Sequence, residues 1–191
     1  MNRSLAPTAP MALLAALAAT GVAAAEFNAV QSASSVVTFV SHQMGVPVEG
    51  GFGKFSAQIS FDPAKPEAGR AQIEVDLASI DAGSSEANDE VKGKAWFSVR
   101  DYPTAKFVST GVRSLGGGRF EAAGKMTIKG RNVDVVAPFT VKPAGAALTL
   151  EGSLPISRKQ YGIGEGSWSD PSVVADEVQI HFRFTLGAGK K

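Results

Sequence analysis

After Glu26 the chain alternates apolar and polar side chains, residue by residue, through one stretch after another. A strand sends successive side chains to opposite faces, so a period of two commits these stretches to half-buried sheet and not to packed helix. In Arg70–Leu77, the residues Ala71, Ile73, Val75 and Leu77 interleave with Arg70, Gln72, Glu74 and Asp76. Lys54–Phe61 puts Phe55, Ala57, Ile59 and Phe61 on one face, and the last such run puts Val178, Ile180, Phe182, Phe184 and Leu186 together. Weaker alternation runs through Ser35–His42, Ala105–Val112, Arg119–Ile128, Val133–Val141 and Ala147–Ile156. Gly116-Gly117-Gly118, Lys129-Gly130-Arg131-Asn132 and Pro143-Ala144-Gly145 separate neighbouring runs, as hairpin connections require.

These eight runs predict an all-β fold with antiparallel neighbours. One segment departs from the pattern: Ser84–Phe97 has a capping serine, early acids and late lysines, which predicts one short helix. Eight strands with one apolar face each form a sandwich or a closed barrel. Closure removes exposed edges, which matters in a chain that has no cysteine and hence no disulfide. An eight-stranded barrel is either filled by its side chains or holds one ligand. Small residues on the apolar rows (Ala57, Ala71, Ala122, Gly124, Ala137 and Gly152) point to a partly unfilled interior, or to places where strands bend or a neighbour packs closely.

Met1–Ala25 reads differently. It carries one charge, Arg3, then the apolar stretch Met11–Ala19 and the small run Ala23-Ala24-Ala25, the pattern of a secretory signal peptide cleaved before Glu26. The expected organisation is therefore a leader over 1–25 and a single domain over 26–191. Loss of Arg3 leaves 18 basic residues against 18 acidic ones. A near-neutral chain without a basic cluster is a poor partner for nucleic acid, whose phosphates supply most of that affinity. The only histidines are His42 and His181, and no H-x-H or H-x-x-x-H spacing exists, so no metal site is expected. No G-x-S-x-G elbow is present, and Gly162-Ile163-Gly164-Glu165-Gly166 neither follows a parallel strand nor opens a helix. No catalytic residue and no cofactor is therefore predicted. Two features remain for ligand binding. His42 ends the first alternating run beside Gly45 and Pro47, where it could serve a ligand headgroup or the backbone. Arg158, Tyr161, Trp168 and Asp170 share one irregular loop, which could cap an apolar cavity or simply be tied down by its own contacts.

Several ordered motifs give a resemblance that spans Glu26–Leu186. Ser35–His42, the V-x-G-x-F-x-x-F pattern of Val48–Phe55, and Ile59-Ser60-Phe61-Asp62 resemble the YceI-like family. So do Ala78-Ser79-Ile80-Asp81 ahead of Ala95-Trp96-Phe97, then Tyr102-Pro103-x-Ala105-x-Phe107-x-Ser109-Thr110, Gly124-x-Met126-Thr127-Ile128-Lys129-Gly130, and Arg158-Lys159-Gln160-Tyr161-Gly162-Ile163-Gly164. The resemblance implies an eight-stranded antiparallel lipocalin-like barrel, exported to the periplasm, that holds a polyisoprenoid or isoprenoid-quinone-like chain and is not an enzyme. It also implies, through the Gly162–Asp170 segment, association with a cytochrome b561-type membrane protein; a homodimer is left open, and the alternatives to a lipid carrier are a lipid- or quinone-handling enzyme on the same barrel or a ligand-free interaction module for such a membrane protein. Glu86-Ala87-Asn88-Asp89 departs from relatives that carry a basic residue before the aspartate. On this basis the expected headgroup residues are His42, Arg158, Tyr161 and Trp168. The expected lining is Phe55, Ile59, Phe61, Ile73, Val75, Phe107, Phe120, Met126, Phe139, Leu150, Phe182 and Phe184.

Overall fold

The computed structural model describes residues 26–189; the expected leader and the terminal lysines Lys190 and Lys191 lie outside the described residues. All eight expected strands are present: β2 (Val36–Gln43), β4 (Phe55–Ser60), β5 (Arg70–Asp76), β7 (Thr104–Gly116), β8 (Arg119–Ile128), β9 (Arg131–Ala144), β10 (Ala147–Ser157) and β11 (Glu177–Ala188). Three short strands join them: β1 (Phe27–Val30), β3 (Val46–Phe52) and β6 (Ile80–Asp81). β1 and β6 are too short for a period of two to show, and Pro47, Gly50 and Gly51 interrupt the apolar row of β3.

Every pairing is antiparallel, in the order β4-β5-β7-β8-β9-β10-β11-β2-β3-β6. β1 closes the curl. It pairs with the end of β11, and Phe27 exchanges two backbone hydrogen bonds of 3.0 Å with Phe61 just past β4. Pairing of this first strand on both sides removes the edges that the open order would leave at that end. At the other end, Gly53 N–H donates to the Ser79 carbonyl and Asp76 N–H to the Lys54 carbonyl, tying the β3–β4 turn to the end of β5 and the turn that follows it.

The alternation carries the rows inward as expected. Three inward glycines, Gly50, Gly124 and Gly152, lie under the rings of Phe39, Phe107 and Phe182 respectively, where any Cβ would collide with the ring. Ala71, Ala122 and Ala137, in contrast, border open space. Both expectations for small inward residues are thus met, at different positions.

The helix α1 (Ser85–Lys92) starts as predicted, with Ser84 Oγ accepting from Ala87 N–H at 3.2 Å. It ends earlier than the sequence pattern suggested. Gly93 terminates it with extended ψ, and Trp96 and Phe97 follow in turns rather than on a helical face. The chain between β10 and β11 forms two short 3-10 turns, Arg158–Tyr161 and Gly166–Trp168.

Candidate functional site

The two ends of the barrel are built differently. At the end where β4 finishes and β8 begins, the interior is solid. Phe61 meets Phe120 and Phe139 edge-on at centroid distances of 5.1 and 5.8 Å, and Phe120 stacks on Phe139 at 5.5 Å. Leu148 and Leu186 complete this plug, Leu186 with no exposure at all. Beyond the plug a cavity of about 590 Å³ runs toward the opposite end, walled by apolar residues from most strands of the barrel. Of its exposed lining residues, Gln43, Glu86 and Glu90 mark an opening between α1 and the β2–β3 hairpin, while Arg70, paired with Ser60 at the start of β5, lies near the plug.

Ten of the twelve expected lining residues border the cavity: Ile59, Phe61, Ile73, Val75, Phe107, Met126, Phe139, Leu150, Phe182 and Phe184. Phe55 and Phe120 do not, which corrects the expectation. Phe120 lies behind Phe61 and Phe139 as part of the plug, and Phe55 packs edge-on against Phe184 at 5.9 Å. Parity decides which face a side chain takes; it does not say whether another ring stands in front of it.

The four expected headgroup residues separate. Arg158 and Trp168 border the cavity, whereas His42 and Tyr161 do not. His42 is exposed because it has the outward parity of β2; its neighbours Ser41 and Gln43 take the inward places. Tyr161 has no exposure and packs in a side cluster with Ile128, Leu154, Ile156 and Ile163. Its hydroxyl is buried without a partner, and burial pushes its pKa up to about 12.

Arg158 is 1 % exposed, and its side chain organises the open end. Nε donates to the Ala175 carbonyl (3.0 Å), Nη1 to Ile163 and Gly164 (both 2.8 Å), and Nη2 to Trp168 and Val174 (both 2.7 Å). These bonds use all five donors of a guanidinium, so none is left for a headgroup. Desolvation lowers the Arg158 pKa, against the opposing pull of the Asp176 charge. Burial alone would raise the Asp176 carboxyl. The Lys159 N–H, the Ser157 hydroxyl and the charges of Lys159 and Arg158 outweigh it and hold that group below the usual carboxylate range. Gly164, with φ +70°, lies directly against Arg158 Nη1, so a side chain there would strain the backbone and displace the guanidinium.

The loop held by Arg158 sets the position of Trp168. The Trp168 ring lies 5.6 Å from that of Trp96, and its Nε1 donates to Glu90 Oε1 of α1 at 2.7 Å. Glu165 N–H donates to the Ala95 carbonyl (2.9 Å), a second tie, from the loop to the turn that follows α1. Trp96 also borders the cavity, and its Nε1 is buried with no acceptor in the protein. At the start of α1 the Glu86 carboxyl is held below its usual pKa, first by its own backbone N–H and then by the hydroxyls of Ser84 and Ser85. Sequence reasoning missed Glu86, Glu90 and Trp96 as rim and wall residues. The signals were the adjacent Trp96-Phe97 pair, apolar and outside any strand, and the departure of Glu86-Ala87-Asn88-Asp89 from relatives with a basic residue there.

This geometry can hold an elongated apolar molecule with one end toward the rim. The exposed acids Glu86 and Glu90 sit at the opening, and Arg158, the one buried cation among the described residues, is already saturated with hydrogen bonds.

Comparison with known proteins agrees with this architecture. The family model described as YceI-like domain matches residues 28–186. BcnA of Burkholderia cenocepacia, known from a crystal structure, is 49% identical and superimposes with a TM-score of 0.80, over 82% of this chain and 98% of that one. A UPF0312 protein of Azotobacter vinelandii is 32% identical over 120 residues, which span 60% of this chain and 62% of that relative's length. A polyisoprenoid-binding domain from Saccharophagus degradans, implicated in plant cell wall breakdown, shares the fold at 17% identity and a TM-score of 0.66, over 87% of this chain and all of that one.

Proposed function

This chain belongs to the YceI-like domain family, and from that premise we propose that it is a periplasmic lipid-binding protein holding a polyisoprenoid or isoprenoid-quinone chain inside its barrel. The observation that carries the proposal is the apolar cavity of about 590 Å³, stopped at one end by Phe61 and Phe139 and open at the other. A volume of that size is typical of small-molecule sites. Burial of a hydrocarbon chain supplies about 25 cal/mol per Å² of apolar surface, from which the costs of association are subtracted. The description of the Saccharophagus degradans domain as polyisoprenoid-binding supports this ligand class, and the leader-like Met1–Ala25 supports export.

The chain enters apolar end first and any oxygen-bearing group stays near the rim. There the unpartnered Trp96 N–H is the donor for it. The rim acids disfavour an anionic head, because two carboxylates at one opening repel it. Binding rather than catalysis is the proposed role, which the YceI-like family match and the polyisoprenoid-binding neighbour support. Passage of the cargo to or from a cytochrome b561-type membrane protein is the further part of the proposal that rests on the Gly162–Asp170 resemblance alone. Co-purification of such a protein from solubilised membranes tests it.

The decisive experiment is organic extraction of the purified protein followed by mass spectrometry. A stoichiometric isoprenoid is the expected result. Recovery of no lipid, together with no binding of added isoprenoids, would defeat the proposal.

A further inference from the structure

The hairpin that joins β2 to β3 stands at the open end and shows solvent an apolar tip. Met44 is 73% exposed and Val46 62%, the two most exposed large apolar side chains among the described residues. Pro47 beside them is exposed as well, and no charged residue lies between His42 and Glu49. The turn itself is an unusual choice. Met44 and Gly45 both take positive φ, +49° and +78°, as a two-residue hairpin of the right twist demands. Asparagine or aspartate meets that demand more cheaply and is polar, whereas methionine accepts backbone strain and projects a flexible apolar side chain into water.

The tip is fixed. Gln43 pairs with Val46 across the hairpin and bridges to Val174, Met44 N–H donates to the Val173 carbonyl at 2.8 Å, and Ala175 N–H donates to His42 at 2.9 Å. It is also continuous with the cavity. Ser41, Gln43 and Val48, on the inward side of the same two strands, line the interior within a few residues of the exposed tip. A narrow, uncharged, apolar projection beside the opening of an apolar cavity is suited to the surface from which a hydrocarbon cargo must come.

We propose that the Met44–Pro47 tip inserts into the headgroup region of a lipid bilayer and docks the open end there, so that cargo passes between bilayer and cavity without crossing water. The proposal rests on the lipid-binding function above and adds the partner surface. The tip carries no charge, and the rim carries Glu86 and Glu90, so attachment draws on apolar burial and not on attraction to anionic lipids.

The test uses tritiated geranylgeraniol as the probe cargo, supplied either from ethanolic solution or from protein-free vesicles of phosphatidylethanolamine and phosphatidylglycerol. Met44→Asn, alone and together with Val46→Thr, suits the turn and the strand and so preserves the fold. The wild type is expected to load from both sources, with uptake from vesicles insensitive to salt. The variants are expected to load from ethanol as the wild type does, and from vesicles about tenfold more slowly. Equal vesicle uptake by wild type and variants overturns the docking proposal. So does a wild type that loads from ethanol but takes cargo only from membranes that still contain their proteins, which points to a protein partner. If the wild type loads from neither source, the lipid-binding function itself fails. Co-sedimentation of the unloaded proteins with the vesicles then decides docking independently: a wild type that pellets where the variants do not supports it, and no difference overturns it.

Discussion

The two ends of this barrel solve one problem by opposite means. At the packed end, Phe61, Phe120 and Phe139 fill the interior by simple succession of inward side chains, each placed by the period of its own strand. At the open end a helix and a loop stand over the cavity; one buried guanidinium holds the loop, and the loop in turn bonds to Glu90 and Ala95. Packing by rings tolerates local change, because each contact is non-directional and shared among many atoms. Closure by a hydrogen-bonded hub does not, because its carbonyl acceptors have no other donor.

This contrast is open to direct attack. The largest effect is expected from Arg158→Ala, which strips a donor from five main-chain carbonyls at once. The loss is about 4 kcal/mol or more in denaturant unfolding, with early exchange of amides around residues 163–175. If the loss stays under about 1 kcal/mol, the hub is not what holds the open end. Phe61→Ala comes next, at about 3–4 kcal/mol, since it removes a large buried ring from the plug. The same variant deepens the cavity, so it should accept a longer hydrocarbon while leaving the Trp96 and Trp168 fluorescence unchanged.

Tyr161→Phe is smaller and opposite in sign. The hydroxyl is buried and unpartnered, so its removal should stabilise the protein by about 1 kcal/mol. Its pH dependence follows from the raised pKa. The unfolded phenol ionises near pH 10 and the folded one near 12, so the folded state keeps a proton that the unfolded state has released. Wild-type stability therefore falls as pH rises from about 10 to about 12, and the phenylalanine variant should lose that part of the fall. Glu90→Ala should have the smallest effect, within about 0.5 kcal/mol, because the carboxylate is exposed. A change in Trp168 emission without a change in stability would show that the tie to α1 positions the rim and does not support the fold.

The same contrast explains what the sequence made legible. Eight strands, their inward rows and ten of the lining residues follow from a period of two, since parity is a property of the backbone alone. β1 and β6 were invisible because four residues and two residues carry no period. Phe120 carried the parity of a lining residue, yet only tertiary structure puts Phe61 and Phe139 in front of it. Arg158 drew attention as a charge in a loop, but its partners are carbonyls, which every residue possesses, so no residue type in the chain announces them. The place of His42 at a strand end suggests a rim group, while its outward parity, already present in Val36–Gln43, argues for the solvent side. Glu90 and Trp168 are far apart in the chain, and nothing local to either predicts their hydrogen bond.

The plug at Phe61 and Phe139 also has a kinetic meaning. A chain that enters beside α1 and stops against these rings leaves by retracing its path, so the part that entered first is the last to be freed. Each methylene drawn back into water costs about 0.8 kcal/mol, which slows escape about fourfold. Residence time along that route therefore climbs geometrically with chain length, and short hydrocarbons come and go while long ones stay until another apolar environment receives them.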